Sequence, residues 1–209
     1  DRTDENGKTV YGLRMWEKHE FEPCPDDVFQ ERLYAVKYEH IDILPNGKIK
    51  ATRYYRAPNE RDMENERKVR NIVLEHIAEW QEQGLVPSMA IESGYNTDQV
   101  IRERSWCYWH QLFNARQLFL LCRFVYQVSD ENDHKKKAAG ILGINKLTNF
   151  NAKLSRFNSG SGVEKVVDVF FNQALNPLMN YGCLGMASVL SCWAYNMNQY
   201  LMQSKNKLC

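Results

Sequence analysis

The sequence predicts an α+β fold, mainly helical, with a small antiparallel hairpin near its N-terminal third. Two alternating runs, residues 32–39 and 48–55, flank Pro45-Asn46-Gly47, and Asn-Gly between such runs is a strong hairpin signal. After residue 58 come four or five helical patterns with no strand–helix–strand alternation between them. With 44% apolar and 12% aromatic residues in 209, the chain has material for a sizeable core. The same reading divides it into a polar lead-in with the hairpin, residues 1–58, and a helical domain, residues 59–209, around a central helix at 115–128. The two are expected to form one compact unit within a longer chain.

Residues 1–30 are turn-rich, punctuated by Asn6-Gly7 and Pro23-Cys24-Pro25, with a short strand expected around Val10–Leu13 and Trp16. The first long helix starts after Pro58. Asn59 caps it, Asp62 completes a capping box with a shortened acid, Val69, Val73, Ile77 and Trp80 form the buried stripe, and Gly84 ends it. Residues 85–104 read as a loop. The central helix is capped by Asn114, whose side-chain oxygen can accept from the backbone N–H of Arg116 or Gln117. Leu118, Leu121, Cys122 and Val125 form its apolar face, against a thin polar stripe of Arg116, Arg123 and Gln127. At about 14 residues it is too short to span a bilayer. Residues 130–156 predict one helix or two, with Ala138, Ile141, Leu142, Leu147, Phe150 and Leu154 on the apolar side and Gly140 and Gly143 as weak points. Val163–Leu175 is ambiguous between strand and helix, and Met186–Met202 carries a clear helical stripe.

The net charge of +1 hides an asymmetry. Residues 1–104 hold 16 Lys and Arg against 21 acids, and residues 105–209 hold 11 against 5, so the second half is the better match for an anionic partner. Six cysteines without a CxxC pair suit reduced, buried thiols in a cytoplasmic protein. A signal peptide and a membrane-spanning run are both absent from the sequence. Cys107 with His110, and His19 with Cys24, supply too few ligands for a zinc knot, so no metal site is assigned. Neither a GxSxG nucleophile nor a phosphate-binding glycine loop is present; Gly182-Cys183-Leu184-Gly185 reads as a turn. One basic segment stands out. Between His134 and Val163 there are six Lys and Arg and no acid, and Lys146, Asn149, Lys153 and Arg156 recur at three and four residues. On a helix they share a face that can meet successive phosphates, or simply face solvent.

Three blocks, Arg32–Val36, Tyr55–Asp62 and Trp109–Leu118, together resemble the adenine-specific DNA methylases that contain a zinc ribbon, a family of archaeal and bacterial defence and restriction-modification loci. Leu112-Phe113-Asn114-Ala115-Arg116-Gln117-Leu118 is the most specific of the matching stretches, and Asn151–Phe157 and Asp168–Leu175 are similar to the family too. The likeness spans roughly residues 30–180. It implies S-adenosylmethionine-dependent methylation of the adenine N6 in DNA, which requires the target base to be flipped from the stack. The family's catalytic Asp/Asn-Pro-Pro-Tyr motif is missing, since Asn176-Pro177-Leu178-Met179 matches only its first two residues, and its Asp-Pro-Phe-x-Gly-x-Gly cofactor segment is missing as well. The resemblance thus implies a non-catalytic segment that takes no cofactor itself. S-adenosylmethionine would belong to the parent enzyme, and DNA and the remainder of the methyltransferase chain would be the partners. The alternative is a helical structural or protein-interaction module that makes no nucleic-acid contact.

Within the most specific block, Asn114, Arg116 and Gln117 read as structural. Arg116 sits where the helix dipole disfavours a cation, so a carboxylate or a row of carbonyls on a neighbouring element should hold it. Breaking a buried pair of this kind costs about 3–5 kcal/mol, so Arg116→Ala is expected to lower the melting temperature sharply.

Overall fold

A computed structural model of the chain describes residues 2–155 except Asp4, Lys8, Tyr11 and Asn96, and beyond them Phe157, Asn158, Lys165, Val166 and Val169. The expected strand after Val10 is shorter than predicted: β1 (Arg2–Thr3) pairs with β2 (Thr9–Val10) across the Asn6-Gly7 turn, and Gly12–Trp16 runs without regular structure. The predicted hairpin is present as β3 (Val36–Ile43) and β4 (Ile49–Arg56), in register from Val36 opposite Arg56 to Ile43 opposite Ile49. Its first strand starts four residues later than residue 32, because the ladder runs out where Arg56 has no further partner. The turn follows its local chemistry. Pro45 supplies a fixed φ, Gly47 N donates to Leu44 O at 2.8 Å, and Gly47 takes φ +75°, which a side chain would resist.

Helix α1 (Glu60–Glu82) begins at the predicted capping box. Asn59 Oδ1 accepts from Asp62 N, and Asp62 Oδ2 accepts from Asn59 N, both at 2.9 Å. Gly84 closes it at φ +72°. The segment expected to be all loop contains a short helix, α2 (Asp98–Arg104), started by Asp98, which accepts from Ser93 Oγ and Gly94 N. Seven residues are too few for a stripe to show in the sequence. A 3₁₀ turn at Trp109–Leu112 leads into α3 (Ala115–Ser129), capped by Asn114 Oδ1 on Gln117 N at 3.0 Å, with Gln117 Oε1 returning to Asn114 N.

Helix α4 (His134–Asn149) departs from expectation in two ways. It ends at Asn149 and is followed by turns through Ser155, so the predicted helical face from Lys146 to Arg156 does not form. Its buried face is also different: Gly140, Gly143, Ile144 and Leu147 point inward, while Ile141 and Leu142 are about half exposed and Ala138 faces solvent. The reason is close packing. A Cβ on Gly140 would lie 2.6 Å from Val128 Cγ2, so the missing side chain lets α4 approach α3. After it, β5 (Phe157–Asn158) pairs with β6 (Lys165–Val166); the other residues of the Val163–Leu175 run are outside the described residues except Val169, and the Met186–Met202 stripe is wholly outside them.

Three apolar clusters hold these elements. Phe21, Val73, Ile77, Val86, Ala115, Leu118 and Cys122 fill the space between α1 and α3. Trp16, Ile91, Val100, Trp106, Leu112 and Leu154 form a second cluster, and Leu121, Ile144 and Leu147 join α3 to α4. Helix α3 thus contributes to two of the three and is central, as its apolar pattern predicts. The polar lead-in supplies two anchors, Trp16 and the fully buried Phe21, each worth about 1.5–3 kcal/mol of burial. Among the described residues, no helix is long and apolar enough to cross a membrane.

Candidate nucleic-acid interface

The basic residues singled out above are separated by the structure. Lys146 lies exposed in the last turn of α4, its Nζ 4.7 Å from the Phe150 ring centroid. Asn149 ends the helix, half-buried, and its carbonyl accepts from Ser155 Oγ and Val169 N. Lys153 is inside the protein, with 1% of its side chain exposed. Arg156 lies outside the described residues. Lys146 and Asn149 remain neighbours at the end of α4; Lys153 does not join them.

Lys153 instead ties the lead-in to the body. Its Nζ donates to Phe21 O at 2.8 Å, pairs with Glu31 Oε1 at 2.8 Å, and sits 5.0 Å and 5.2 Å from the ring centroids of Trp16 and Trp106. Its backbone N–H donates to Leu112 O. Burying an ammonium is costly unless it is paired and hydrogen-bonded, and here a carboxylate, a carbonyl and two aromatic faces meet it. A second polar tie runs beside it. His110 Nε2 lies 3.0 Å from Glu20 O, and since a carbonyl can only accept, Nε2 carries the proton. Nδ1 therefore accepts from Gln81 Nε2 at 3.3 Å, and Gln81 Oε1 accepts from His19 Nδ1–H at 2.9 Å. Burial disfavours the imidazolium and holds the His110 pKa down at about 4.

The other candidate ligands are also engaged. Cys24 donates its thiol to Glu20 Oε1 at 3.3 Å, which raises its pKa, and its sulfur meets Arg14 Nη2 at 3.2 Å. The same Arg14 grips Asp27 with two hydrogen bonds and keeps that carboxyl below its usual range. Cys107 donates to Ser105 O. Arg116 behaves as its place in the helix predicts: Nε lies 2.8 Å from Glu66 Oε2 on α1, though its N–H does not point along the contact. The Arg116 side chain is about a third exposed and that of Glu66 about a quarter, so this tie is weaker than a fully buried pair.

With Lys153 engaged inside the body, the hairpin presents basic and aromatic side chains together at the surface. Every residue of β4 is exposed. Alternation places Lys50, Thr52, Tyr54 and Arg56 on one face, opposite Asp42, His40, Tyr38 and Val36. There Tyr38 and Tyr54 stack at 5.5 Å and 12°, with the Arg56 guanidinium 5.0 Å from the Tyr54 ring. The other face carries Lys37, Glu39, Ile41 and Ile43 against Tyr55, Arg53, Ala51 and Ile49. At its base, Lys37 lies 5.3 Å from the Tyr55 ring centroid and Phe157 packs edge-on against Tyr55. Arg53 is paired with Glu39 at 2.9 Å, and His40 with Asp42 at 3.0 Å. From Val36 to Arg56 the ribbon has five Lys and Arg against two acids. The base is fastened to the body by Pro58, which leads into α1, and by Tyr38 Oη donating to Asp62 Oδ2 at 3.4 Å.

The signal for this element was in the sequence. Lys48-Ile49-Lys50-Ala51-Thr52-Arg53-Tyr54-Tyr55-Arg56 has no apolar side along its length, which no strand lying on a core would show. Comparisons with the models of known protein families, with curated proteins and with solved structures find no match to this chain.

Proposed function

We propose that this chain holds DNA through the β3–β4 ribbon, as a non-catalytic segment of an S-adenosylmethionine-dependent DNA adenine-N6 methyltransferase. The observation that carries the reading is a two-stranded ribbon whose second strand is exposed from end to end and carries Lys50, Tyr54 and Arg56. A lone hairpin is at best marginally stable in water, and two-stranded ribbons are a shape that the grooves of duplex DNA accept. Arg and Lys supply the phosphate contacts that dominate affinity, and tyrosine adds hydrogen bonds to backbone oxygens. The helical body is the mount. Its own cations at Lys153 and Arg116 are engaged in ties between elements, which leaves Lys146 and the Lys135–Lys137 run as secondary contacts near α4.

The methyltransferase setting comes from the resemblance of the Leu112–Leu118 block and its neighbours. On this reading the cofactor and the base chemistry belong to the remainder of the methyltransferase chain, in the cytoplasm. A structural or protein-interaction role without DNA is the second reading, favoured by how fully Lys153 is engaged internally. A gel-shift titration of the full chain against an adenine-containing duplex separates the two. The proposal expects retardation that weakens in Lys50→Ala and Arg56→Ala, with no heat from S-adenosylmethionine in calorimetry. Absence of a shifted band at low salt, or methyl transfer by this chain alone, contradicts it.

A further inference from the structure

The tip of the ribbon has a chemistry that phosphate contacts leave unexplained. Ile41, Ile43, Ile49 and Ala51 share one face, and Ile43 and Ile49, directly opposite each other, are 78% and 71% exposed. Leu44 and Pro45 continue the apolar surface over the turn, and both are exposed. Bare aliphatic side chains gathered at the far end of a solvated ribbon mark a contact surface. What surrounds them indicates the occupant. Lys48 adjoins Ile49 at the turn, Arg53 shares the isoleucine face, and Lys50 and Arg56 line the other face of β4. Against them, Asp42 faces Lys50 across the ribbon and Glu39 neutralises Arg53, which leaves a net positive arm with an apolar end.

Resting on the DNA-holding reading above, we infer that the ribbon enters the minor groove and that Ile43, Ile49 and Pro45 act as a wedge at a base step, bending the duplex. Apolar residues inserted between base steps kink DNA by about 20–90°, and the unstacking is offset by the extra surface the bend brings into contact. The geometry suits this. Eight residues at about 3.4 Å each give an arm of roughly 27 Å, the length of about eight base pairs. The turn that carries the wedge is rigid: Gly47 N donates to Leu44 O at 2.8 Å, Leu44 N donates to Lys48 O at 2.9 Å, and Lys48 N donates to Asn46 Oδ1 at 3.0 Å. A rigid tip loses little conformational freedom on insertion. The wedge also suits a partner of base-modifying chemistry, because a step already unstacked makes base extrusion easier.

The test is energy transfer between dyes at the two ends of a short duplex, measured with the full chain and with Ile43→Ser/Ile49→Ser. Both residues are exposed, so the double variant is expected to keep the parent's circular dichroism and melting point, which are checked first. The inference expects the parent to shorten the end-to-end distance. The double variant should still bind, with affinity reduced up to about tenfold, and should leave the duplex straight. Binding that depends on Lys50 and Arg56 but leaves the duplex unbent with the parent overturns the wedge and spares the DNA-holding reading. No binding to DNA by the parent overturns both. Isoleucine-dependent capture of anionic vesicles, with no bend in DNA, assigns the tip to a lipid surface and overturns the wedge as well.

Discussion

Replacing Lys153 with alanine distinguishes a basic residue that meets DNA from one that holds the fold. The surface-face reading of the sequence makes this change neutral for folding; the structure makes it severe. Phe21 O, in a fully buried residue, loses a charged donor, a loss of about 1.5–3 kcal/mol. Trp16 and Trp106 lose the cation between them, at about 0.5–2 kcal/mol, and a void opens where the lysine stem lay. Glu31 is about a quarter exposed and regains water, so its abandoned charge adds little. These two losses sum to about 2–5 kcal/mol, and the void adds to them. In a domain of this size they lower the melting temperature by roughly 4–20 °C. Melting followed by circular dichroism and by tryptophan fluorescence measures it, and Lys153→Met, which keeps the stem, should recover part of the loss. If Lys153→Ala melts within about 2 °C of the parent, the internal tie is wrong and the lysine is available to a ligand.

Three further outcomes follow from the same packing. Gly140→Ala forces a methyl against Val128, and the overpacking of about 1–3 kcal/mol exceeds the roughly 1 kcal/mol gained in helix propensity; denaturant unfolding should show a net loss that Val128→Ala relieves. Arg116→Ala should cost only about 1 kcal/mol, because the pair with Glu66 is a third exposed, and a double-mutant cycle with Glu66→Ala should return a coupling of that size. His110 has a folded pKa of about 4, below its unfolded value near 6.5, so its contribution is complete above pH 6.5 and fades as the pH falls toward 4. Stability should fall by about 3 kcal/mol over that interval, and His110→Gln should flatten the part of the pH profile that this group supplies.

Local chemistry in the sequence was readable where it is self-contained. Asn59 with Asp62, Asn114 with Gln117, and Pro45-Asn46-Gly47 each complete their hydrogen bonds within a few residues, and each appears where expected. The pairing of Arg116 with a carboxylate was also legible, from the conflict between a guanidinium and the start of a helix. The burial of Lys153 was not. Its partners at Trp16, Phe21, Glu31 and Trp106 are supplied by segments remote in sequence, and periodicity carries no information about them. The glycines of α4 misled in another way. Helix propensity marks Gly140 as a weak point, while packing uses its missing side chain as the contact with Val128. The ribbon was legible as strands and turn, but its role was not drawn from that pattern. The basic count of the second half pointed to α4 instead.

The salt dependence of DNA binding bears most directly on the ribbon. Each phosphate neutralised adds about −0.9 to the slope of log K against log salt for duplex DNA. Fluorescence anisotropy with a labelled duplex, from about 50 to 200 mM salt, gives that slope for the parent and for Lys48→Ala/Lys50→Ala/Arg56→Ala. The predicted result is a salt-dependent affinity in the parent and a slope shallower by about 2–3 in the triple variant, with melting unchanged. A parent that does not bind, or a triple variant whose slope equals the parent's, would contradict the assignment of the ribbon to DNA.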